Sequence, residues 1–324
     1  MLERFLVPKE DQILVDSDSM TAATKEIFMK MGLSEEDSQL SAEVLMVSDL
    51  RGCESHGVSN MLPIYVERYG EGSRDLGINP KPNFKITRET PTTANIDGDD
   101  GLGLHVLPKA MEIAIEKADK YGSGSVDVHN SRHIGMLAYH SMMALEHDMI
   151  GLTMTAGNSL SSVPTHGAEK RFATNPWAYA VPADKEPPFV FDIATTQVAC
   201  NKLSLAKRVG AKMDPAWITD SSGNDVMESA GTVYCEMDEK YHMIHALDKE
   251  HVNQERHSQS DDDESYEEWI IVGIFCDTDD DAGMNGYYET SRNEDGEESE
   301  KLVQTDEYDR CRIGEEYTIS SQNS

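Results

Sequence analysis

Residues 106–155, VLPKAMEIAIEKADKYGSGSVDVHNSRHIGMLAYHSMMALEHDMIGLTMT, alternate between two hydrophobic periodicities and decide the fold class. Apolar residues at helical spacing, among them Ala110 and Ala114, predict a helix over about 106–121 that Gly122 ends. Three shorter elements follow in the same stretch: a strand near 125–128, a helix over about 136–147 and a strand over 150–155. Strands that alternate with helices indicate an α/β domain.

The same alternation continues on both sides of this stretch. On the N-terminal side, Ser34-Glu35-Glu36-Asp37 has the composition of a helix start, and this helix leads to Ser55-His56-Gly57. On the C-terminal side, Phe189-Val190-Phe191-Asp192-Ile193 predicts a short buried strand. We therefore predict three regions: a helical region at 1–78, an α/β region at 79–225 and a divergent C-terminal segment at 226–324.

The C-terminal segment differs from the rest of the chain in charge. Residues 226–324 contain 28 acidic and 7 basic side chains, so they carry about two thirds of the formal net charge of −32. Strongly acidic stretches cannot bury enough apolar surface to offset chain entropy, and disorder is predicted at about 250–265 and 277–300. Between these stretches, the apolar residues 269–275, WIIVGIF, predict one buried strand.

Charge and cysteine usage limit the possible partners and location. A net charge of −32 argues against nucleic acid or an anionic membrane surface, because phosphate binding needs a basic face. The longest apolar stretch, about 269–276, is far shorter than the roughly 20 residues that span a bilayer. The five cysteines form no Cys-x-x-Cys pair, a pattern typical of reduced thiols. We expect a cytoplasmic protein without a bound metal.

Two histidines and one aspartate are candidate functional residues. His56 and His133 have small neighbours that let a ligand approach, and a neutral histidine can donate or accept a proton near pH 7. Each histidine alone is equally typical of a loop residue bonded to the backbone. Asp192 lies at the C-terminal end of a predicted strand, where α/β proteins place ligands, but it could instead cap the following helix.

The ordered set of these segments resembles the malate/L-lactate dehydrogenase family of the second type. That family includes ureidoglycolate, sulfolactate and diketogulonate oxidoreductases, and the resemblance covers about residues 15–225. It implies an α/β fold whose NAD(P)-binding domain is not a Rossmann domain, and a homodimer. It also implies hydride transfer that interconverts a small 2-hydroxy acid and its 2-oxo acid, with NAD or NADP as cofactor.

The resemblance implies roles for individual residues. His133 falls where the ureidoglycolate enzymes place a proton acceptor, and His56 falls where the diketogulonate enzymes place a proton donor; which of them transfers the proton here stays open. Ser159 and Asn60 fall at substrate positions. The residues assigned to the cofactor are Asp192, Ile193 and Ala194, together with Thr174 and Asn175 of a Thr-Asn-Pro turn.

Three departures from the family pattern leave two functional hypotheses open. Asn60 stands where many members have an arginine that grips the substrate carboxylate, and Arg132 and Arg68 are candidate replacements. Ala173 and Asn201 stand where glycine is usual, and no Gly-Lys-Gly-like segment follows residue 225. The first hypothesis is an active 2-hydroxyacid dehydrogenase. The second is a catalytically inactive dehydrogenase remnant with an acidic interaction tail.

Overall fold

The computed structural model describes residues 9–69, 77–156, 162–165, 167–214 and 217–226, and the backbone of four strands beyond them. The chain forms two units, Met1–Asp277 and Thr278–Ser324. The helices are α1 (Ser17–Met31), α2 (Glu35–Leu50), α3 (Val58–Arg68), α4 (Gly103–Tyr121), α5 (Leu137–Met142) and α6 (Cys200–Arg208). The strands are β1 (Lys85–Glu89), β2 (Thr93–Gly101), β3 (Ser123–Ser131), β4 (Ile150–Thr155), β5 (Ser162–Val163), β6 (Trp177–Val181), β7 (Phe189–Ile193), β8 (Ile218–Asp220), β9 (Tyr241–Ile244), β10 (Ile270–Phe275), β11 (Tyr287–Arg292) and β12 (Glu298–Val303).

Helices α1, α2 and α3 form the N-terminal part of the first unit. The predicted start of α2 is confirmed, because the Ser34 hydroxyl accepts the Asp37 N–H at 3.1 Å and caps the helix. A 3₁₀ turn at Glu54–His56 separates α2 from α3. Buried side chains from all three helices share one core, in which Phe28, Leu45 and Tyr65 are fully buried. The helices therefore hold the His56 loop against a rigid apolar cluster.

A parallel pair of strands connected by a helix lies next to this cluster. Helix α4 joins β2 to the parallel strand β3 and ends at Gly122, whose φ of +85° is the left-handed conformation expected at a helix end. One face of β3 is buried against α4, and a side chain on Gly124 would overlap the Ala114 carbonyl. This close approach fixes the start of β3 against α4.

One seven-stranded sheet contains most of the strands, in the order β1-β2-β3-β10-β4-β6-β7. Its described pairings are antiparallel except β2 with β3, so it differs from the mostly parallel Rossmann sheet. The predicted strand at 269–275 is confirmed as β10, which inserts between β3 and β4. The acidic C-terminal segment thus contributes a strand to the same sheet as the α/β region.

The prediction that residues 189–193 form a buried strand is correct for the strand and wrong for its burial. Strand β7 lies at the edge of the sheet, and Phe189, Phe191 and Ile193 are 57%, 41% and 51% exposed. They lie on the same face as Trp177, which pairs with Ile193 and is also exposed. An apolar run alone cannot distinguish a strand covered on both faces from an edge strand that leaves one face open.

The remaining described strands form two small sheets. In the first unit, β5, β9 and β8 form a three-stranded sheet. The second unit contains an antiparallel pair, β11 with β12. The disorder predicted at 277–300 therefore does not hold for β11 at 287–292 or for the start of β12 at 298. The rest of that range, and the range 250–265, lie outside the described residues. No helix within the described part of the chain is long and apolar enough to cross a membrane.

Candidate active site

His56 lies in the turn between α2 and α3. Asp49, near the end of α2, accepts the Val58 N–H at 2.9 Å and so caps the start of α3. A side chain at Gly57 would overlap the Asp49 carboxylate, so this cap requires glycine after His56. The His56 Nδ1 atom is 2.9 Å from the Ser55 hydroxyl. The loop therefore holds the imidazole at a fixed position and leaves its Nε2 atom for other contacts.

The structure brings the two predicted histidines together. His133 follows the carboxyl end of β3, and its ring centroid lies 5.7 Å from that of His56, with 10° between the ring planes. The Tyr65 hydroxyl oxygen is 2.7 Å from His133 Nδ1. Tyr65 is not among the residues predicted from the sequence. A signal was present, because α3 begins just after His56 and a buried tyrosine on such a helix needs a polar partner.

Burial keeps both imidazoles neutral at physiological pH. Together with a smaller contribution from the positive charge of Lys202, it lowers the pKa of His56 to about 4. Burial likewise lowers the pKa of His133 to about 3, with smaller contributions from His56 and Arg68. Neutral imidazoles each carry one N–H donor and one acceptor nitrogen, which is the form suited to proton exchange with a substrate oxygen.

Asn60 connects the His56 loop to helix α6. Its side-chain N–H₂ group donates to the Ser55 carbonyl at 3.0 Å and to the Asn201 carbonyl at 3.3 Å. Its side-chain oxygen accepts a hydrogen bond from the Arg208 guanidinium at 3.0 Å, and the same guanidinium donates to the Ser59 hydroxyl at 3.1 Å. Position 60, where the family's arginine is missing, is thus hydrogen-bonded to Arg208 of helix α6. This contact was not predicted from the sequence.

The two arginines named as candidate replacements have different surroundings. Arg132 forms a 2.8 Å ion pair with Asp100 and donates to the Gly77 carbonyl at 2.9 Å, so its guanidinium is engaged outside the histidine pair. Arg68, at the end of α3, acts on His133 through its charge. The guanidinium that donates to the Asn60 side-chain oxygen is that of Arg208.

Asp192 caps a helix, but not the one that follows it. Its carboxylate accepts the Ala138 N–H at 2.8 Å and a second hydrogen bond from the Leu137 N–H, so it caps α5, which precedes it in sequence. The expectation of a cap on the following helix is therefore wrong. Burial raises the pKa of Asp192 because the carboxylate is removed from water.

The other residues assigned to the cofactor lie beside Asp192. Thr195 donates to the Thr174 carbonyl through its N–H at 2.8 Å and through its hydroxyl at 2.9 Å. These bonds hold the turn of Thr174 and Asn175 against the segment of Ile193 and Ala194. Asn175 has a φ of +36°, a conformation that an asparagine adopts more readily than most residues. Ser159 lies outside the described residues.

Comparison with known proteins assigns the chain to a family. The profile described as malate/L-lactate dehydrogenase matches residues 15–234. A malate dehydrogenase from Pyrococcus abyssi is 41% identical over 214 residues, which are 66% of this chain and 57% of that protein. An L-sulfolactate dehydrogenase from Methanocaldococcus jannaschii is 39% identical over 205 residues, 63% of this chain and 58% of that protein.

A solved structure shows the same fold. The crystal structure of malate dehydrogenase from Entamoeba histolytica superposes with a TM-score of 0.70 at 26% identity, covering 81% of this chain and 78% of that one. In sequence, the chain spans under three fifths of the length of the curated relatives described above. The profile match covers most of the present chain, including both histidines, the β7 segment and α6. The chain therefore belongs to the malate/L-lactate dehydrogenase family.

Proposed function

We propose that the protein is an NAD(P)-dependent oxidoreductase that interconverts a small 2-hydroxy acid and its 2-oxo acid. The observation that carries the proposal is the pair of imidazoles of His56 and His133, which lie 5.7 Å apart and are held neutral by burial. The dehydrogenase names of the family relatives support the reaction class. Reduction of a 2-oxo acid needs a proton donor at the carbonyl oxygen, and the reverse oxidation needs an acceptor there.

The substrate carboxylate needs a cationic partner, and we propose that Arg208 provides it. Its guanidinium is already hydrogen-bonded to Asn60, the position where the family's arginine is missing. A guanidinium has five N–H donors, so contacts with Asn60 and Ser59 leave further donors for a carboxylate. We assign Asn60 to the substrate site as the residue that holds Arg208, and Ser159 on the resemblance alone.

The residues present fit a nicotinamide cofactor. When bound, the cofactor supplies or accepts a hydride. A nicotinamide ring has apolar faces and a polar amide edge, and the candidate segment offers both kinds of surface. Ile193 and Trp177 expose apolar area, while the Thr174 and Asn175 turn and the backbone of Ala194 supply polar groups. We assign Asp192 to this site because its carboxylate positions α5 beside the loop of His133.

The experiment that tests this function is a titration of the full chain with NADH and NADPH, followed by reduced-nicotinamide fluorescence. Saturable binding is expected, and the same protein should then reduce at least one member of a panel of 2-oxo acids. His133→Ala and His56→Ala should each lower turnover by roughly 100-fold or more, since positioned acid–base groups contribute about that much. A folded protein that binds neither nucleotide, or variants that both keep full turnover, would contradict the proposal.

We also propose that two copies of the chain associate through the exposed face of β7. Phe189 and Phe191 expose apolar area on one side of this edge strand, and their rings stack with 6.4 Å between centroids, whereas Ile193 and Trp177 are assigned to the cofactor. Contiguous apolar surface of this kind is typical of protein interfaces. Sedimentation of the wild type at twice the chain mass, and of Phe191→Ser at a lower average mass, is expected. A wild type that sediments as a monomer at micromolar concentration would disprove this association.

A further inference from the structure

Tyr65 is a buried side chain whose contacts the proposed reaction has not yet used. It lies on α3, is fully buried, and packs against Phe28 with 6.4 Å between ring centroids. Its hydroxyl oxygen is 2.7 Å from His133 Nδ1, which is a short hydrogen bond. A buried phenol costs free energy unless its hydroxyl has a partner, so this contact decides where the hydroxyl hydrogen points.

The hydrogen bonds at His133 Nδ1 determine which nitrogen carries the ring hydrogen. The backbone N–H of Gly135 points at Nδ1 over 3.3 Å, and a backbone N–H can only donate. This contact favours the tautomer in which Nδ1 is the acceptor nitrogen, and its 3.3 Å length makes it too weak to fix that tautomer alone. The Tyr65 hydroxyl then donates to the same atom, because an acceptor nitrogen has no hydrogen to give. It follows that neutral His133 carries its hydrogen on Nε2.

Tyr65 does not act as a proton donor to His133 during the reaction. Burial raises the pKa of the Tyr65 phenol well above its ordinary value, so the hydroxyl keeps its proton at physiological pH. Transfer of that proton to Nδ1 would create a buried pair of phenolate and imidazolium, and burial disfavours the charged form of each group. The hydrogen bond therefore fixes the state of the imidazole and does not relay a proton.

We propose that Tyr65 is a positioning residue that holds His133 in the Nε2–H tautomer, so that His133 presents a hydrogen-bond donor to the substrate oxygen. The functional half of this inference rests on the proposed oxidoreductase activity, whereas the tautomer does not. With Nδ1 occupied, His133 polarises a carbonyl oxygen and stabilises the negative charge that develops on it during reduction. His56, whose Nδ1 can donate to the Ser55 hydroxyl, keeps Nε2 available to accept a proton in the oxidation direction.

The chain offers a matched control one helical turn away. Tyr69 is also a tyrosine of the α3 region, and its hydroxyl is buried with no hydrogen-bond partner among the described residues. Tyr65→Phe and Tyr69→Phe each remove one oxygen atom and keep the ring. Any effect that comes from the smaller side chain alone appears in both variants, and an effect on His133 appears only in the first.

The test is long-range ¹H–¹⁵N correlation spectroscopy of the full chain labelled with ¹⁵N-histidine, with the His133 signals identified by their loss in His133→Gln. Wild type and Tyr69→Phe should show a protonated Nε2 and an unprotonated Nδ1. Tyr65→Phe should show a mixture of tautomers, because only the long contact from the Gly135 N–H then remains at Nδ1. In steady-state kinetics Tyr65→Phe should lower kcat about tenfold, the effect of one lost hydrogen bond of about 1.4 kcal/mol, with KM changed by less than about twofold.

Each outcome decides the inference. A wild-type His133 protonated on Nδ1 overturns it, even if Tyr65→Phe does not fold. Equal tautomers and equal kcat in Tyr65→Phe and wild type also overturn it, and leave the proposed function intact. If the expected tautomer and its loss are observed but no 2-oxo acid is turned over, the positioning role stands and the proposed function fails.

Discussion

Replacement of Asp192 tests whether one carboxylate supports both a helix and the cofactor segment. Its two hydrogen bonds go to the N–H groups of Ala138 and Leu137, residues that are 2% and 4% exposed. Water cannot easily take over a cap at this site, so the cost of losing it should be near the upper end of the usual range, about 2 kcal/mol. Asp192→Ala should therefore lower the free energy of unfolding by about 2 kcal/mol.

Asp192→Asn is the matched control for this change. An amide oxygen can still accept the Ala138 N–H, and burial already disfavours the charged form of Asp192. The asparagine variant should therefore lose only about 1 kcal/mol or less. With a urea dependence of about 2 kcal/mol per molar, Asp192→Ala should lower the unfolding midpoint by roughly 1 M, measured by tryptophan fluorescence and circular dichroism.

The two variants also separate the structural role of Asp192 from its assignment to the cofactor. If the carboxylate acts through α5, NADH affinity should fall in the alanine variant and be largely kept in the asparagine variant. Identical unfolding midpoints for Asp192→Ala and wild type would refute the capping argument. Loss of NADH binding in both variants, with only the alanine variant destabilised, would show instead that the charge itself contacts the cofactor.

Three further changes have expected outcomes. Arg208→Gln should raise KM for a 2-oxo acid about 10-fold to 100-fold in steady-state kinetics, because a charge-assisted hydrogen bond contributes about 1.5–3 kcal/mol. An unchanged KM would exclude Arg208 as the partner of the substrate carboxylate. Burial lowers the pKa of His140 and of His105 to about 4, below the roughly 6.5 of an unfolded chain, so the unfolded state binds more protons between these values. The free energy of unfolding should therefore fall as the pH drops from 6.5 to 4. Each of these two histidines should contribute a loss of about 1.4 kcal/mol per pH unit. Equal urea midpoints at pH 7 and pH 5 would disprove this loss of stability. Gly124→Ala places a side chain against the Ala114 carbonyl and should lower the free energy of unfolding by about 1–3 kcal/mol. A thermal midpoint equal to that of wild type would show that α4 can move away from β3 without cost.

Local signals in the sequence predict the elements well. The capping serine Ser34 and the terminating glycine Gly122 act on residues next to them in sequence, so both can be recognised without knowledge of the fold. The apolar run of residues 269–275 likewise predicts the strand observed as β10, because its neighbours differ so strongly in polarity.

Contacts between distant residues explain what the sequence analysis missed. Asp192 meets Ala138 across 54 positions, and Tyr65 meets His133 across 68. Asn60 and Arg208 are separated by 148 positions. Periodicity and spacing describe residues within one element, and they carry no information about which elements become neighbours. Both histidines were found because short motifs mark their loops, whereas the partners that tune them lie on helices with ordinary amphipathic patterns.

Strand β10 imposes an order on the events of folding. β3 and β4 are both complete by residue 155, but about 115 residues separate Thr155 from Ile270, and β10 is the strand that pairs with each of them. During synthesis on a ribosome, β3 and β4 must therefore wait with unpaired edges until this strand emerges. Such long-range closure slows folding, and open strand edges invite pairing with other chains. The nascent chain is thus most exposed to aggregation in the interval between these strands, which is when a chaperone would contribute most to its yield.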